Sequence, residues 1–320
     1  MSDAVTVVAW LVVAHLVADF VLQTGRMAVD KQGDGGRAWR ALRDHSAGVA
    51  VALVPVVVVF GLPGLAFLVL VTASHALVDR TKVLLARRAE ARALAAALAR
   101  YGTLRGAGGL GTAWTPVPAA LFVVDQLVHG GILVAGWALL LRDVAPTDPW
   151  LAAVRFVTAG LPDPTIRAVG LDAALGVALA IVNVRAASLL IGTLVSPREV
   201  TLGRAPVEPG GDGPGRRSGP ASADPGGGPE QIAERPLTEP TGPARIGEAI
   251  GVLERLLVVT FVLTGQLAAI GFVVAAKTLA RFKQLDDRAF AEYYLLGTLA
   301  SVSVALGSAL LAAAAMAATP

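Results

Sequence analysis

Apolar runs approaching 20 residues recur along this chain, and they decide what it can fold into. A bilayer-spanning helix needs about that many residues, because each one rises about 1.5 Å against a hydrocarbon core of about 30 Å. Candidate spans cover residues 4–24, 46–60, 65–78, 118–141, 169–184, 250–276 and 290–315. A chain that is 55% apolar and 16% charged, with its apolar residues gathered in this way, cannot be a soluble globular domain. The expected fold is all-α: a polytopic transmembrane helix bundle of about seven spans with a long disordered cytoplasmic loop. The run 46–60 looks short, so tilt or local thinning of the bilayer is expected there.

The connectors divide by charge. Residues 25–44 hold Arg26, Lys31, Arg37, Arg40 and Arg43, and a further basic stretch runs from Arg80 to Arg100, whereas the turn Gly61-Leu62-Pro63-Gly64 holds no charge. Basic connectors stay in the cytoplasm, which places the N-terminus outside. Seven spans then leave the connector with Lys277, Arg281, Lys283 and Arg288 on the wrong side, a conflict this count does not remove. The first run follows only Met-Ser-Asp, without a positive leader, and reads as a retained helix. Residues 197–242 are rich in Pro, Gly, Ser and Asp and cannot bury enough apolar surface to offset their ordering entropy. This gives an N-terminal bundle of about five spans over 1–195, a disordered linker over 196–245 and a two-helix segment over 246–320.

The informative polar residues lie inside the apolar helices. His15 precedes Asp19, His75 precedes Asp79 and His129 follows Asp125, each by four residues, so three of the four histidines have an aspartate one helical turn away. Composition alone gives a single histidine roughly a 10% chance of such a neighbour. The fourth, His45, opens the second span beside Asp44. With the basic connectors inside, all four helices present imidazole or carboxylate at a comparable depth near the cytoplasmic face.

The sequence contains no cysteine, so a metal must be held by imidazole and carboxylate. The candidate ligands are His15, Asp19, His75, Asp79, Asp125 and His129, with zinc the expected ion and Asp19, Asp79 and Asp125 the candidate catalytic groups. A metal-bound water would attack a lipid-like ester or phosphate arriving from the cytoplasmic leaflet. Two alternatives stand beside this hydrolase: a proton- or cation-coupled carrier, because ionisable groups inside spans must pair or line a path, and a non-catalytic accessory protein whose His–Asp pairs merely neutralise each other and tie helices together. Further polar candidates are His45, Gln23 and Lys82, the last beside Asp79 or a lipid phosphate. In the last third they are Glu254, Gln266 in mid-span, and Lys277 with Arg281, for which a salt bridge to Glu292 is preferred over a lipid phosphate. Phosphate loops, nucleotide-binding glycine turns, His-Glu-x-x-His pairs and strained nucleophile turns are all missing. Nucleic acid finds no recognisable module, so membrane lipids are the expected partners, with a homo-oligomer left open.

The stretches His15-Leu16-Val17-Ala18-Asp19-Phe20-Val21-Leu22-Gln23-Thr24, His75-Ala76-Leu77-Val78-Asp79-Arg80-Thr81-Lys82 and Asp125-Gln126-Leu127-Val128-His129 resemble the DUF3307 family of uncharacterised bacterial membrane proteins. The resemblance covers about residues 5–130. Gly271 to Lys277, Arg281-Phe282 and Ala291-Glu292-Tyr293-Tyr294-Leu295-Leu296-Gly297-Thr298 look like the tail of longer members. It implies a multi-pass protein of the bacterial inner membrane and the same choice of polar residues, with no assigned reaction.

Overall fold

A computed structural model describes residues 4–33, 35–101, 111–113, 117–195, 198–200 and 242–318. Most of the linker expected over 196–245 lies outside them. The chain is a helical membrane bundle in which α1 (Ala4–Val17) runs on into a π turn (Ala18–Leu22) and is followed by short α2 (Gly25–Asp30). Then come α3 (Gly35–Tyr101), α4 (Val117–Leu140), α5 (Asp148–Val157) and α6 (Asp163–Ile181). A second π turn (Val182–Ala186) joins α6 to α7 (Ala187–Val195), and α8 (Gly242–Leu263), α9 (Ala268–Ala280) and α10 (Arg288–Ala317) complete the order. The strands described are β1 (Gly111–Ala113) and β2 (Arg198–Val200), which pair antiparallel.

Among the described residues, five helical segments are long and apolar enough to cross a membrane, where about seven spans were expected: Ala4–Leu22, Gly36–Ala89, Val117–Leu140, Asp163–Val195 and Phe290–Ala317, the second of them a hairpin that carries two of the expected spans. Two physical reasons account for the difference. The runs 46–60 and 65–78 belong to one helical element, α3, which reverses at Gly61, where φ is 62° and ψ −133°. Only glycine adopts that backbone without strain. The reversal brings Gly64 so close to the Val56 carbonyl that no side chain fits between them. Pro63 has no N–H to give the Val59 carbonyl, and the break also frees that of Val58. Thr147 replaces both donors, its backbone N–H donating to Val59 O at 2.8 Å and its hydroxyl to Val58 O at 2.9 Å. The first leg begins at Gly35, so the run 46–60 is a full-length helix after all.

The second reason lies in the run 250–276, expected as one span. It breaks at Thr264-Gly265-Gln266-Leu267, with φ 75° at Gly265, and α9 folds back along α8 so that Lys277 reaches Glu254 at 2.5 Å. Gln266 is therefore a turn residue and not a mid-span one. The fold-back returns the basic connector 281–287 to the end of the bundle where α8 begins. The same end receives the end of α1, both ends of α3 and the β1–β2 ribbon, so the conflict in charge placement arose from reading a hairpin as one helix.

The packing is that of an object immersed in oil. Leu62, Leu77, Leu127, Leu139 and Leu311 are each at least 69% exposed, outward-facing on apolar helices. Inside, Leu11, Val49, Leu53, Phe60, Phe67, Val71 and Leu133 join α1, both legs of α3 and α4. Gly136 packs its bare backbone against the Phe67 ring, where a Cβ would meet ring carbon at 3.0 Å, the close approach that small residues give membrane helices. Val258, Val259, Val262, Ala305 and Ala309 form a second core between α8 and α10.

Candidate metal centre

The three His–Asp pairs of the sequence meet in one place, and the fourth histidine joins them. His15 and Asp19 come from α1 and its π turn, His45 from the first leg of α3, His75 and Asp79 from the second, and Asp125 and His129 from α4. A π turn is a common device at functional sites because it re-aims the side chains around it, here Asp19. His45, His75, Asp79, Asp125 and His129 are all at most 6% exposed, and His15 is 9% exposed. The rings form a connected file: His45 to His75 at 5.0 Å between centroids, His75 to His129 at 4.1 Å and His129 to His15 at 5.2 Å.

For His15 and His75 the within-helix aspartate is not the nearest partner. His15 Nε2 lies 3.8 Å from Asp19, His75 Nε2 3.9 Å from Asp79 and His129 Nδ1 3.6 Å from Asp125, all too long for hydrogen bonds. Between helices the approach is closer: His45 Nε2 meets His75 Nε2 at 2.9 Å, and Asp19 Oδ1 lies 3.5 Å from the first and 3.4 Å from the second. Asp79 Oδ2 stands 3.4 Å from His45 Nε2. Pairs that only neutralised one another along each helix would not need this convergence.

Ligands of a tetrahedral zinc, about 2.0 Å from the ion, stand about 3.3 Å from one another. The three atoms His45 Nε2, His75 Nε2 and Asp19 Oδ1 are spaced at 2.9, 3.4 and 3.5 Å. Asp19 Oδ1 is also buried without a hydrogen-bond partner, a costly state for a carboxylate oxygen unless a cation takes it up. Among the described residues, three overlapping groups have ligand atoms within 4.8 Å of one another: His15, Asp19 and His75; His45, His75 and Asp79; and Asp19, Asp125 and His129. Asp19 and His75 each belong to two of them.

Two lysines hold the outer carboxylates. Lys31, just beyond α2, donates to Asp79 Oδ2 at 2.6 Å and to Gln23 Oε1 at 2.9 Å. Lys82 donates to Asp125 Oδ2 at 2.7 Å, across to α4 and not back to Asp79 as its spacing suggested. Gln126 bridges the middle, its amide donating to Asp19 Oδ2 at 3.3 Å and Asp125 Oδ2 at 3.2 Å while its carbonyl oxygen lies 3.2 Å from His15 Nε2. Sequence reasoning overlooked Lys31 and Gln126. Lys31 gave no signal among the basic residues of its connector; Gln126 offered only its place beside Asp125. His45 carries more of the geometry than its rank beside an exposed Asp44 implied, since Asp44 faces away and pairs with Arg43 at 3.0 Å.

The polar residues of the last third lie elsewhere. Lys277 pairs with Glu254, Arg281 donates to Gln284 at 3.1 Å, and Glu292 accepts from exposed Arg288 at 2.9 Å, so the expected bridge from Lys277 or Arg281 to Glu292 is replaced by three separate contacts. None of them reaches the histidines. The reason is the hairpin, which sets Lys277 opposite α8.

Residues 7–154 match the family model described as a protein of unknown function, DUF3307. The matched region runs from α1 into α5 and contains every residue of the His/Asp cluster. No curated protein and no solved structure matches the chain.

Proposed function

Through residues 7–154 the chain belongs to the DUF3307 family, and from the buried cluster we propose that it is a zinc-dependent hydrolase of lipid-like esters or phosphates. The observation that carries this reading is the spacing of His45 Nε2, His75 Nε2 and Asp19 Oδ1, with the last lacking any other partner. Three protein ligands and an open fourth position are the pattern of a catalytic zinc site. The ion would lower the pKa of a bound water and supply hydroxide near neutral pH.

Asp79, 3.4 Å from His45 Nε2 and steadied by Lys31, is placed to take the water's proton. With an ion held by His45, His75 and Asp19, hydroxide would be supplied to the ester carbon or phosphorus, and Asp79 would keep the proton taken from the water and return it to the departing ester oxygen. Gln126, itself in contact with Asp125 and His15, positions Asp19 from the other side.

The bundle end at which the site sits is the basic one, which supports a cytoplasmic site with the N-terminus outside, in the inner membrane. Toward the opposite end the packed layer of Leu11, Leu53, Phe67 and Leu133 stands behind the imidazoles. That layer favours chemistry entered from one side over a carrier, which needs a path through.

The test is hydrolysis of acyl-chain p-nitrophenyl esters and phosphates by detergent-purified protein, metal-stripped or reloaded with zinc, beside Asp79→Asn. Zinc-dependent turnover that Asp79→Asn loses while still binding the metal is the expected result. Zinc-loaded protein that turns over neither class faster than stripped protein would remove the hydrolase.

A further inference from the structure

A second charged group is buried far from the histidines. Arg255 on α8 is 3% exposed, yet no carboxylate pairs with it among the described contacts. Its Nε donates to the Asn183 carbonyl at 2.6 Å, and its terminal nitrogens reach Ser188 Oγ at 2.8 Å and Ser301 Oγ at 3.4 Å. The Asn183 carbonyl lies in the π turn between α6 and α7, where the widened backbone spacing leaves oxygens for other donors. Neutral groups thus hold the guanidinium in place, and Glu254 and Glu248 act on its charge from a distance without forming an ion pair with it, an expensive arrangement inside a membrane protein.

The guanidinium borders a wide groove between α7, α8, α9 and α10 that opens at the same end of the bundle as the histidine site. Ile191, Val195, Ile250 and Phe290 give one part of it an apolar lining, and Gly192, Gly251 and Gly297 keep it broad. Lys277 and Arg281 also line it, against Glu254 and Glu248, and Glu254 is already engaged by Lys277. Arg255, Lys277 and Arg281 therefore outnumber Glu248 and Glu254 along an apolar trough that reaches a buried arginine without an ion-pair partner. We propose that this groove binds an anionic phospholipid, its phosphate on Arg255 and Lys277 and an acyl chain along Ile191, Val195 and Ile250. Arginine suits this task because its planar fork donates two parallel hydrogen bonds to a phosphate.

Native mass spectrometry of the full chain in detergent tests the assignment, with phosphatidylglycerol, phosphatidylcholine and glycerol phosphate as separate probes. Phosphatidylglycerol should stay bound where phosphatidylcholine does not, and Arg255→Gln should weaken its retention about tenfold. Because Arg255→Gln can disturb the fold, Gly192→Leu serves as a second variant. A side chain at Gly192 meets nothing within 4 Å except the open groove, and it should lower retention to a similar degree without changing helix content. Equal binding of the two lipids, retention unchanged in Gly192→Leu, or binding of glycerol phosphate without the lipid would each overturn the proposal.

Discussion

The two halves of the molecule bury charge in opposite ways. In the N-terminal bundle, imidazoles and carboxylates from α1, α3 and α4 crowd together, and an acceptor oxygen of Asp19 is left without a donor. In the C-terminal lobe the buried group is a donor, Arg255, solvated by a backbone carbonyl and hydroxyls. An unsatisfied buried acceptor calls for a cation, and a buried guanidinium without an ion-pair partner calls for an anion. The comparison shows how a bundle of similar apolar helices can host two unlike sites, one gathering imidazoles and carboxylates around an unsatisfied oxygen and the other holding a cation on neutral acceptors.

Substitutions can break or sharpen this contrast. The largest effect is expected at Asp19, which belongs to two of the ligand groups. Asp19→Ala should lower zinc-dependent hydrolysis by more than about 100-fold, beyond what losing an outer partner costs, while exposed Arg288→Ala leaves the rate unchanged. Next comes Lys31→Met, which strands the buried Asp79 carboxylate and should destabilise the metal-free protein by about 3 kcal/mol in denaturant unfolding. The corresponding change at Lys277, whose pair with Glu254 is more open to solvent, should cost about 1 kcal/mol. If the two lysine variants lose the same stability, the contrast between a closed and an open ion pair fails. Gly61→Ala, forced into a left-handed backbone, should cost about 1–2 kcal/mol by the same measurement. Arg288→Ala should fall within about 0.5 kcal/mol of the parent, because both partners of its pair are largely exposed.

Local spacing made part of this legible. Four-residue offsets put His15 with Asp19, His75 with Asp79 and Asp125 with His129 on single helix faces, and comparable depth placed them in one layer. What spacing cannot carry is the geometry between helices. The contact of His45 with His75 joins residues 30 apart in sequence, and that of Lys31 with Asp79 joins residues 48 apart; both depend on the reversal at Gly61. The Gly-Leu-Pro-Gly turn was readable because a proline and two glycines coincide. Gly265 was not, since a lone glycine is common in an apolar membrane helix, and its neighbours carry no charge. Missing that hairpin misassigned Gln266 and the partner of Lys277, and placed the last basic connector at the wrong end of the bundle.

The central claim is that His45, His75 and Asp19 hold an ion. Inductively coupled plasma mass spectrometry on tag-free, detergent-purified protein measures it directly, with His75→Ala and Asp19→Ala prepared alongside. About one zinc per chain in the parent, lost from both variants while their helix content is kept, is the result this account predicts. A well-folded parent that stays metal-free after supplementation with zinc, magnesium and manganese, or variants that retain the parent's zinc, would contradict it.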